Sequence, residues 1–379
     1  MSVLSDLMSE ALETVVGSYD PKANLADAST IPASWYIDPR VLSLERRTTF
    51  SRTWLCIGRL DQLRVSGQYV ASELPSGDPI VVVRGHDGVL RGFFNVCRHH
   101  AAAVVMAPEG SAEVLRCPYH GWTYSLEGAL KGTPDFAGVC HFDRAAHGLV
   151  PVETGVWQQW VFVKLEPGGL SLAEFLGHDL IGSAEGAGLE GLHWLARRTY
   201  TLDCNWKVFI DNYLDGGYHV PYLHKDLNSV LDYREYTIEC GERHCLQSSP
   251  LVSEGAEPRT GDVRQGDRAL YYWIHPNFMI NVYGAAMDTN LVLPLGLEKT
   301  EVVFDFFFSD VSEGARAGNL ASIDVSHQIQ EEDEAICRSV QRGLRSRAYT
   351  AGRLSVRREA GEHLFHRLLH ADLVAGLRR

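Results

Sequence analysis

The sequence lacks a surplus of basic residues, since 48 aspartates and glutamates outnumber 35 lysines and arginines and the formal net charge is −13. This acidic balance argues against nucleic acid or an anionic membrane surface as a partner. No apolar run approaches the ~20 residues that span a bilayer. Residues 1–17 carry Asp6, Glu10 and Glu13 where a secretory signal would carry a basic segment. We therefore expect a cytoplasmic protein with neither nucleic acid nor membrane as partner.

Disulfide bonds are not indicated either. Six of the eight cysteines show no spacing typical of a disulfide framework, namely Cys56, Cys140, Cys204, Cys240, Cys245 and Cys337. A length of 379 residues, with 45% hydrophobic and 22% charged residues, is typical of a globular protein with two domains. The remaining two cysteines belong to a motif.

The order of helical and strand patterns predicts an α+β fold. Short strands punctuated by glycines over residues 45–165 indicate a small all-β domain. Further strands and a long helix at Ser322–Ser346 indicate a larger α+β domain with an antiparallel sheet over residues 166–379. Residues 1–44 are expected to form a helical leader that packs on the larger domain.

Four local predictions accompany this division. A helix at Ser5–Val16 follows from apolar spacing, and a second at Pro39–Trp54 follows from Asp38 as its N-cap. Alternation predicts a strand at Tyr233–Glu239. The polar, glycine-rich stretch Ser253–Asp267 is predicted to be a surface loop.

Two short segments each supply one cysteine and one histidine. Cys97 and His99 stand two positions apart, and Cys117 and His120 stand three positions apart. Two thiolates on one iron and two imidazoles on the other are the ligands of a Rieske [2Fe–2S] cluster. The same ligand types could hold a structural zinc ion, but this spacing is unusual for zinc. The motif therefore favours the cluster.

A second pair of histidines lies downstream in an apolar, aromatic setting. His219 and His224 are five residues apart, which places them about 140° apart on an ideal helix. Pro221 lacks the amide hydrogen that a helix interior needs. We expect Pro221 to bend or end the helix between the histidines, so that both imidazoles reach one metal ion.

A carboxylate to complete a 2-His-1-carboxylate site is available on the predicted long helix, which carries four consecutive acids at 331–334. Its apolar stripe consists of Ile329, Ile336, Val340 and Leu344. Asp333 falls on this stripe, whereas Glu332 lies at its edge. Because a buried carboxylate is costly unless it is paired or binds metal, we assign His219, His224 and Asp333 as the metal ligands.

These segments resemble the Rieske non-haem iron oxygenases, also called ring-hydroxylating oxygenases, over residues 40–372. Asn205, Trp206 and Lys207 stand before the His-x4-His pair and a distal aspartate, as in that family. Within it, the sequence is similar to plant choline monooxygenases and to related enzymes of quaternary ammonium compounds. Segments that carry this closer resemblance are 211–224, 293–296, 339–344 and 365–370.

The resemblance implies the cofactors and the reaction. A Rieske [2Fe–2S] cluster would deliver electrons one at a time, and a mononuclear Fe(II) with open coordination positions would activate O2. The chain would be a terminal oxygenase that hydroxylates a small organic substrate such as a quaternary ammonium compound, by choline-type hydroxylation or oxidative N-demethylation. One alternative is a hydroxylase or dioxygenase of an aromatic or other apolar substrate. The other is a Rieske electron carrier without oxygenase activity, against which the second metal site argues.

Partners follow from the same resemblance. The string Gly-x-Gly-x-x-Gly at 186–191 lacks the strand before it and the helix after it that a dinucleotide site needs, so electrons should come from a separate ferredoxin or flavin reductase. The family implies a homotrimer, or a dimer of trimers, in which the cluster of one subunit faces the iron of the next. A carboxylate then bridges a cluster histidine and an iron histidine, with Asp215 as the candidate and Asp211 in reserve.

Aromatic side chains on the predicted sheet are candidates for the substrate pocket. A quaternary ammonium ion is attracted to aromatic faces by roughly 2 kcal/mol when desolvated. The candidate residues are Tyr272, Phe278, Tyr283 and Phe308. Because side chains alternate along a strand, Tyr272 and Trp273 cannot both face the pocket.

Overall fold

The computed structural model describes residues 11–224, 231–251 and 267–378. The chain divides into two compact units. The small unit is Phe50–Leu172, and the large unit combines Met1–Thr49 with Ala173–Arg379. Within the described ranges, no helix combines the length and apolar character needed to cross a membrane.

The small unit is built from antiparallel strands. They are β1 (Leu55–Arg59), β2 (Gln68–Glu73), β3 (Pro79–Arg84), β4 (Leu90–Phe94), β5 (Glu109–Ser111), β6 (Leu115–Arg116), β7 (Thr123–Tyr124), β8 (Leu130–Gly132), β9 (Pro151–Trp157) and β10 (Trp160–Lys164). A seven-stranded sheet has the order β1-β10-β9-β4-β3-β2-β5, and β6-β7-β8 form a separate three-stranded sheet. One predicted metal-binding segment, Cys117 to His120, forms the turn between β6 and β7, and the other, Cys97 to His99, follows β4.

The large unit contains a second seven-stranded antiparallel sheet. Its strands are β11 (His193–Leu202), β12 (Thr237–Cys240), β13 (His244–Pro250), β14 (Arg268–Ile274), β15 (Phe278–Tyr283), β16 (Ala286–Gly296) and β17 (Lys299–Phe308). The order is β11-β17-β16-β15-β14-β13-β12. The sheet and the surrounding helices give this unit the predicted α+β architecture.

Ten α-helices are present in the described part of the chain. They are α1 (Leu12–Gly17), α2 (Ala33–Ile37), α3 (Pro39–Arg47), α4 (Thr49–Arg52), α5 (Leu172–Leu176), α6 (His178–Gly186), α7 (Trp206–Leu214), α8 (Val220–Leu223), α9 (Glu313–Leu344) and α10 (Ala360–Leu377). The helix α2 packs against α10, since the rings of Trp35 and His370 stack with centroids 6.2 Å apart.

The structure corrects two of the local predictions. Asp38 caps α3 by accepting from the amide of Arg40, but α3 ends at Arg47 instead of continuing to Trp54. The chain over Tyr233–Glu235 is a 3-10 turn that the Asp232 side chain caps. The strand β12 therefore starts only at Thr237. Residues 5–10 of the predicted helix Ser5–Val16 lie outside the described residues, and α1 covers its second half from Leu12. Residues 253–266 of the predicted loop also lie outside them.

The start of α7 is fixed by buried polar contacts that explain the Asn-Trp-Lys motif. The Asn205 side chain accepts from the amide of Lys207 and donates to two backbone carbonyls. Lys207 Nζ lies 2.7 Å from Glu45 Oε1, and both side chains are fully buried. Trp206 Nε1 donates to the other Glu45 oxygen. Because removing one partner of a buried ion pair costs about 3–5 kcal/mol, these contacts fix the start of α7 against α3.

Candidate metal centres and substrate cavity

A tight turn after α7 positions the first histidine. Asp215 is the C-cap of α7, and Gly216 and Gly217 both have φ of +67°, a conformation that side chains beyond glycine strain to adopt. A Cβ on Gly216 would also collide with the backbone of Arg358. The turn leads straight into α8, with His219 at its N-cap.

The two histidines stand at opposite ends of the single-turn helix α8, and this corrects the predicted role of Pro221. Pro221 lies in the first turn of α8, where its missing amide hydrogen is not needed, so it does not break a helix between the histidines. The helix ends at His224, whose φ of −108° and ψ of 78° leave the helical region. The short helix, not a proline kink, brings both rings to one side.

His219, His224 and Asp333 converge on one point. Asp333 Oδ1 lies 3.1 Å from His224 Nε2 and 3.9 Å from His219 Nε2. One ligand atom from each residue lies within 4.8 Å of the others. Two imidazoles and one carboxylate in this arrangement match the facial triad of non-haem Fe(II) sites.

The outer nitrogen of each histidine meets a carboxylate. His219 Nδ1 lies 2.6 Å from Asp215 Oδ2, and His224 Nδ1 lies 2.6 Å from Glu332 Oε2. Asn212 Nδ2 donates to Asp333 Oδ1 at 2.8 Å. With a proton on each Nδ1, both Nε2 lone pairs are free to bind a metal ion. The residues present therefore fit a mononuclear iron.

Electrostatics at His224 follow from these contacts. Burial lowers the pKa of His224, but the hydrogen bonds and charges of Asp333 and Glu332 outweigh burial and raise it above the usual value. Without a metal ion, two carboxylates thus favour the imidazolium form. A divalent cation would take the place of that positive charge.

The helix α9 presents Asp333 inward, although not by the predicted stripe. Ile336 and Val340 are 39% and 43% exposed, so that part of the prediction was wrong. The buried face instead carries small and polar residues, including Gln330, Cys337 and Gln341. Asp333 lies three residues after Gln330 and four before Cys337, which places it on this face.

The two candidate bridging acids lie in different surroundings. Asp215 contacts His219, as described above. Asp211 accepts from Tyr36 Oη at 2.5 Å and from His366 Nε2 at 3.0 Å. The structure therefore brings Asp215, and not Asp211, against a histidine of the triad.

Two loops of similar shape carry the cysteine and histidine motifs of the small unit. The amide of Cys97 donates to the carbonyl of Ala102, and that of Cys117 donates to the carbonyl of Trp122, both at 2.8 Å. Each loop turns through one residue of positive φ, Ala101 at 60° and Gly121 at 71°. The two loops thus present their side chains toward each other.

The four side chains of these loops fit a Rieske cluster. Both cysteines are buried, at 3% and 2% exposure, and the rings of His99 and His120 lie 4.7 Å apart. His99 Nδ1 is buried without a hydrogen-bond partner, as expected of a nitrogen that binds metal. Tyr124 Oη contacts Cys97 Sγ at 3.3 Å. Thiolates inside and imidazoles toward the surface match a cluster whose histidine side faces an electron-transfer partner.

A cavity of ≈ 120 Å³ adjoins the triad in the large unit. Aromatic rings contribute much of its lining, namely Phe209, Tyr213, Tyr236, Tyr271, Tyr283 and Phe304. Polar residues also line it, among them Asn281, Asp288 and Asn290, together with the aliphatic side chains of Val220, Leu231 and Ile329. The ring planes of Tyr236 and Tyr271 are nearly parallel, and Tyr283 meets Tyr271 edge-on.

Of the four predicted pocket residues, Tyr283 lines the cavity, whereas Tyr272, Phe278 and Phe308 are absent from its lining. Tyr272 and Phe278 point to the opposite face of the sheet, where Tyr272 Oη meets Ser183 of α6 at 2.8 Å. Phe308 shares the face of Phe304, but it lies four residues further along β17, about 13 Å away.

Sequence reasoning missed several residues of this site. Glu332 was set aside in favour of Asp333, although the second nitrogen of a metal-binding histidine needs an acceptor. Tyr271 was missed because the sequence does not show which alternate side chains of β14 face the cavity. No sequence pattern around Asp288 or Tyr236 indicated that these residues line the cavity.

Comparisons with known proteins bear on both units. Residues 53–143 match the family model of the Rieske [2Fe-2S] domain. Residues 189–373 match the model of the ring hydroxylating alpha subunit (catalytic domain). Choline monooxygenase, chloroplastic, of Arabidopsis thaliana is 41% identical over 372 residues, covering 96% of this chain and 87% of that protein.

The chain belongs to the ring-hydroxylating Rieske oxygenases. Among other members, the carnitine monooxygenase oxygenase subunit of Escherichia coli K12 is 30% identical, over 86% of this chain and 87% of its own length. The quaternary ammonium Rieske monooxygenase CntA with L-carnitine superposes with a TM-score of 0.79 at 26% identity, over 93% and 96% of the two chains. Naphthalene 1,2-dioxygenase from Rhodococcus, at 23% identity and a TM-score of 0.75 over 91% and 94%, shares the fold.

As a Rieske oxygenase, the chain carries a Rieske cluster and a mononuclear iron and uses O2 as co-substrate. It is a terminal oxygenase that acts on a small organic molecule, and a separate reductase or ferredoxin supplies its electrons. The predicted family, fold class and cofactors are confirmed.

Proposed function

We propose that this Rieske oxygenase oxidises a quaternary ammonium compound. The observation that carries the proposal is the cavity beside the triad, where aromatic rings stand together with one further carboxylate. A permanent cation gains from aromatic faces and from a nearby negative charge. An aromatic hydrocarbon also packs on aromatic faces but gains nothing from the carboxylate. The choline and carnitine monooxygenases among the relatives add support.

In this proposal His219, His224 and Asp333 hold the mononuclear iron, and Cys97, His99, Cys117 and His120 hold the cluster. When bound, the iron and the cluster supply reductive activation of O2. The protein's own residues do the positioning. Asp215 and Glu332 hold the two imidazoles by their Nδ1 atoms, and Asn212 holds Asp333.

Electron delivery is proposed to cross between subunits. The two ligand sets lie in different compact units of the chain, and CntA is described as transferring electrons between subunits. We propose a homotrimer in which Asp215, already bonded to His219, accepts a second hydrogen bond from a cluster histidine of the neighbouring subunit. His120 is exposed, which such a contact requires.

A reducing compartment such as the cytoplasm is proposed for the protein. A cluster held by thiolates supports this, as does the finding that none of the eight cysteines forms a disulfide bond. The plant relatives are named as chloroplastic.

Substrate-dependent oxygen uptake with a surrogate reductase tests the proposal. Choline-type cations should stimulate uptake and yield an oxidised product, whereas naphthalene should not.

Tyr271→Leu should lower the affinity for the cation by about fivefold or more, and Tyr271→Phe should retain it because the aromatic face remains. Tyr272→Phe is the matched control on the opposite face of the sheet. Product from naphthalene and none from any quaternary amine would establish the aromatic hydroxylase instead.

A further inference from the structure

Asp288 occupies the wall of the cavity in a fixed position. Its side chain comes from β16 and is 4% exposed. Asn281 Nδ2 donates to Asp288 Oδ2 at 2.7 Å, and Asn290 Nδ2 donates to the same oxygen at 3.3 Å. Tyr213 Oη in turn donates to Asn281 Oδ1 at 2.7 Å. This network orients the carboxylate toward the cavity before any substrate arrives.

The chemistry of this position is distinctive. Of the described residues that line the cavity, Asp288 is the one acid outside the triad. Amide donors favour the ionised form of a carboxyl group. A negative charge in a cavity lined by rings acts at low effective dielectric, so it interacts with a bound cation more strongly than it would in water.

We propose that Asp288 is a specificity-determining residue that provides the counter-charge for a cationic substrate head group. The inference rests on the proposed function and further specifies the net charge of the substrate. Aromatic faces alone attract the ammonium group of a simple cation and that of a zwitterion alike. A carboxylate on the cavity wall adds attraction for the cation and repels a carboxylate on the ligand. The site therefore favours substrates with a net positive charge over neutral isosteres and zwitterions.

Binding measurements on the anaerobic holoenzyme separate these contributions without turnover. Three probes are titrated by calorimetry: choline, its uncharged isostere of the same size 3,3-dimethylbutan-1-ol, and the larger zwitterion L-carnitine. In the unaltered protein, choline should bind at least about tenfold more tightly than the isostere. Equal affinities for choline and the isostere would overturn the proposal without any variant.

Two variants then locate the charge. Asp288→Asn preserves the shape and should remove most of the preference for choline, while affinity for the isostere stays the same. Asn281 is the cross-strand partner of Asp288 and lies on the same face of the sheet. The double variant Asp288→Asn with Asn281→Asp returns one carboxylate to the cavity wall and should restore part of the preference.

A matched control is Asp305→Asn. Asp305 is also a buried acid of this sheet, but it pairs with Arg197 and Trp194 on the other face, so the preference should not change. If Asp288→Asn leaves the preference intact while Tyr271→Leu lowers choline affinity, Asp288 is not the counter-charge but the proposed function stands. If the unaltered protein binds neither choline nor L-carnitine, both proposals fail.

Discussion

His224 Nδ1 and Glu332 Oε2 lie 2.6 Å apart, so the acid next to the proposed iron ligand Asp333 holds the ring of another ligand. Asp333 faces the inner nitrogen of the same ring at 3.1 Å. The two adjacent acids of α9 therefore have different roles at one histidine.

Glu332→Gln should weaken mononuclear metal binding by about 10–100-fold, because loss of an outer hydrogen-bond partner typically has that effect. Titration of the apo mononuclear site with Fe(II) or Co(II) measures the affinity. Glu334→Gln serves as the control, since Glu334 pairs with Arg338 on the helix surface. A complete loss of the metal in Glu332→Gln, with Asp333→Ala unaffected, would show that Glu332 is the ligand.

Tyr124→Phe should lower the reduction potential of the cluster. The hydroxyl accepts from the amide of Arg98 and is free to donate to Cys97 Sγ, and this bond stabilises the more negative reduced state. A difference of about 1 kcal/mol corresponds to roughly 40 mV for one electron. His99→Cys should lower the potential further, since thiolate adds negative charge. Protein-film voltammetry measures the reduction potential of both variants. An unchanged potential in Tyr124→Phe would exclude the hydrogen bond from Tyr124 to Cys97.

Glu362 should make the stability of the large unit depend on pH. Burial, with the charges of Asp211 and Glu359, raises the pKa of Glu362 well above 4.5. The stabilisation of the folded state by the protonated Glu362 side chain is fully present below the pKa of this group in the unfolded chain. It is lost as pH rises toward the pKa in the folded state, because the unfolded chain releases this proton first.

Glu362→Gln does not titrate, so its stability relative to the unaltered protein should increase as pH rises above about 4.3, the usual pKa of a glutamate in an unfolded chain, by about 1.4 kcal/mol per unit of pKa shift. Urea unfolding of both proteins at matched iron content gives the comparison. A stability difference that does not vary with pH would show that Glu362 ionises normally in the folded state.

Much of this site could be predicted because ligand chemistry leaves marks in the sequence. Cysteine and histidine spacing predicted two loops whose histidine rings the structure brings together, and the pairing of His219 and His224 with a distal acid predicted three side chains that converge. Asp38 indicated the start of α3 because aspartate is a residue type that caps helices. These features depend on local chemistry, which one chain displays directly.

Other features depend on long-range packing and could not be predicted. The buried face of α9 consists of polar and small residues, so hydrophobic periodicity placed Ile336 and Val340 inside wrongly. The cavity face of β14 depends on strand phase, and a shift of one residue exchanges Tyr271 for Tyr272. The place of Asp211 beside Tyr36 and His366 depends on contacts across more than 150 positions.

Asp215→Asn tests the proposed bridge between subunits. The variant should retain both metals and the oligomer, since Asn keeps the size of the side chain. Oxidation of the reduced cluster in a single turnover should nevertheless slow severely, because the amide no longer holds His219 and its partner as the carboxylate does. Asp211→Asn is the companion variant away from the triad. Normal single-turnover rates in Asp215→Asn, or full activity of a monomer, would contradict the bridging role.

Counting iron and sulfide tests the proposal that two separate ligand sets hold two metal sites. Iron and acid-labile sulfide are measured per chain in the unaltered protein and in Asp333→Ala. We expect about three irons and about two sulfides in the former, and about two of each in the variant with the Rieske spectrum unchanged. A colourless protein without sulfide, or an unchanged iron content in Asp333→Ala, would contradict the assignment.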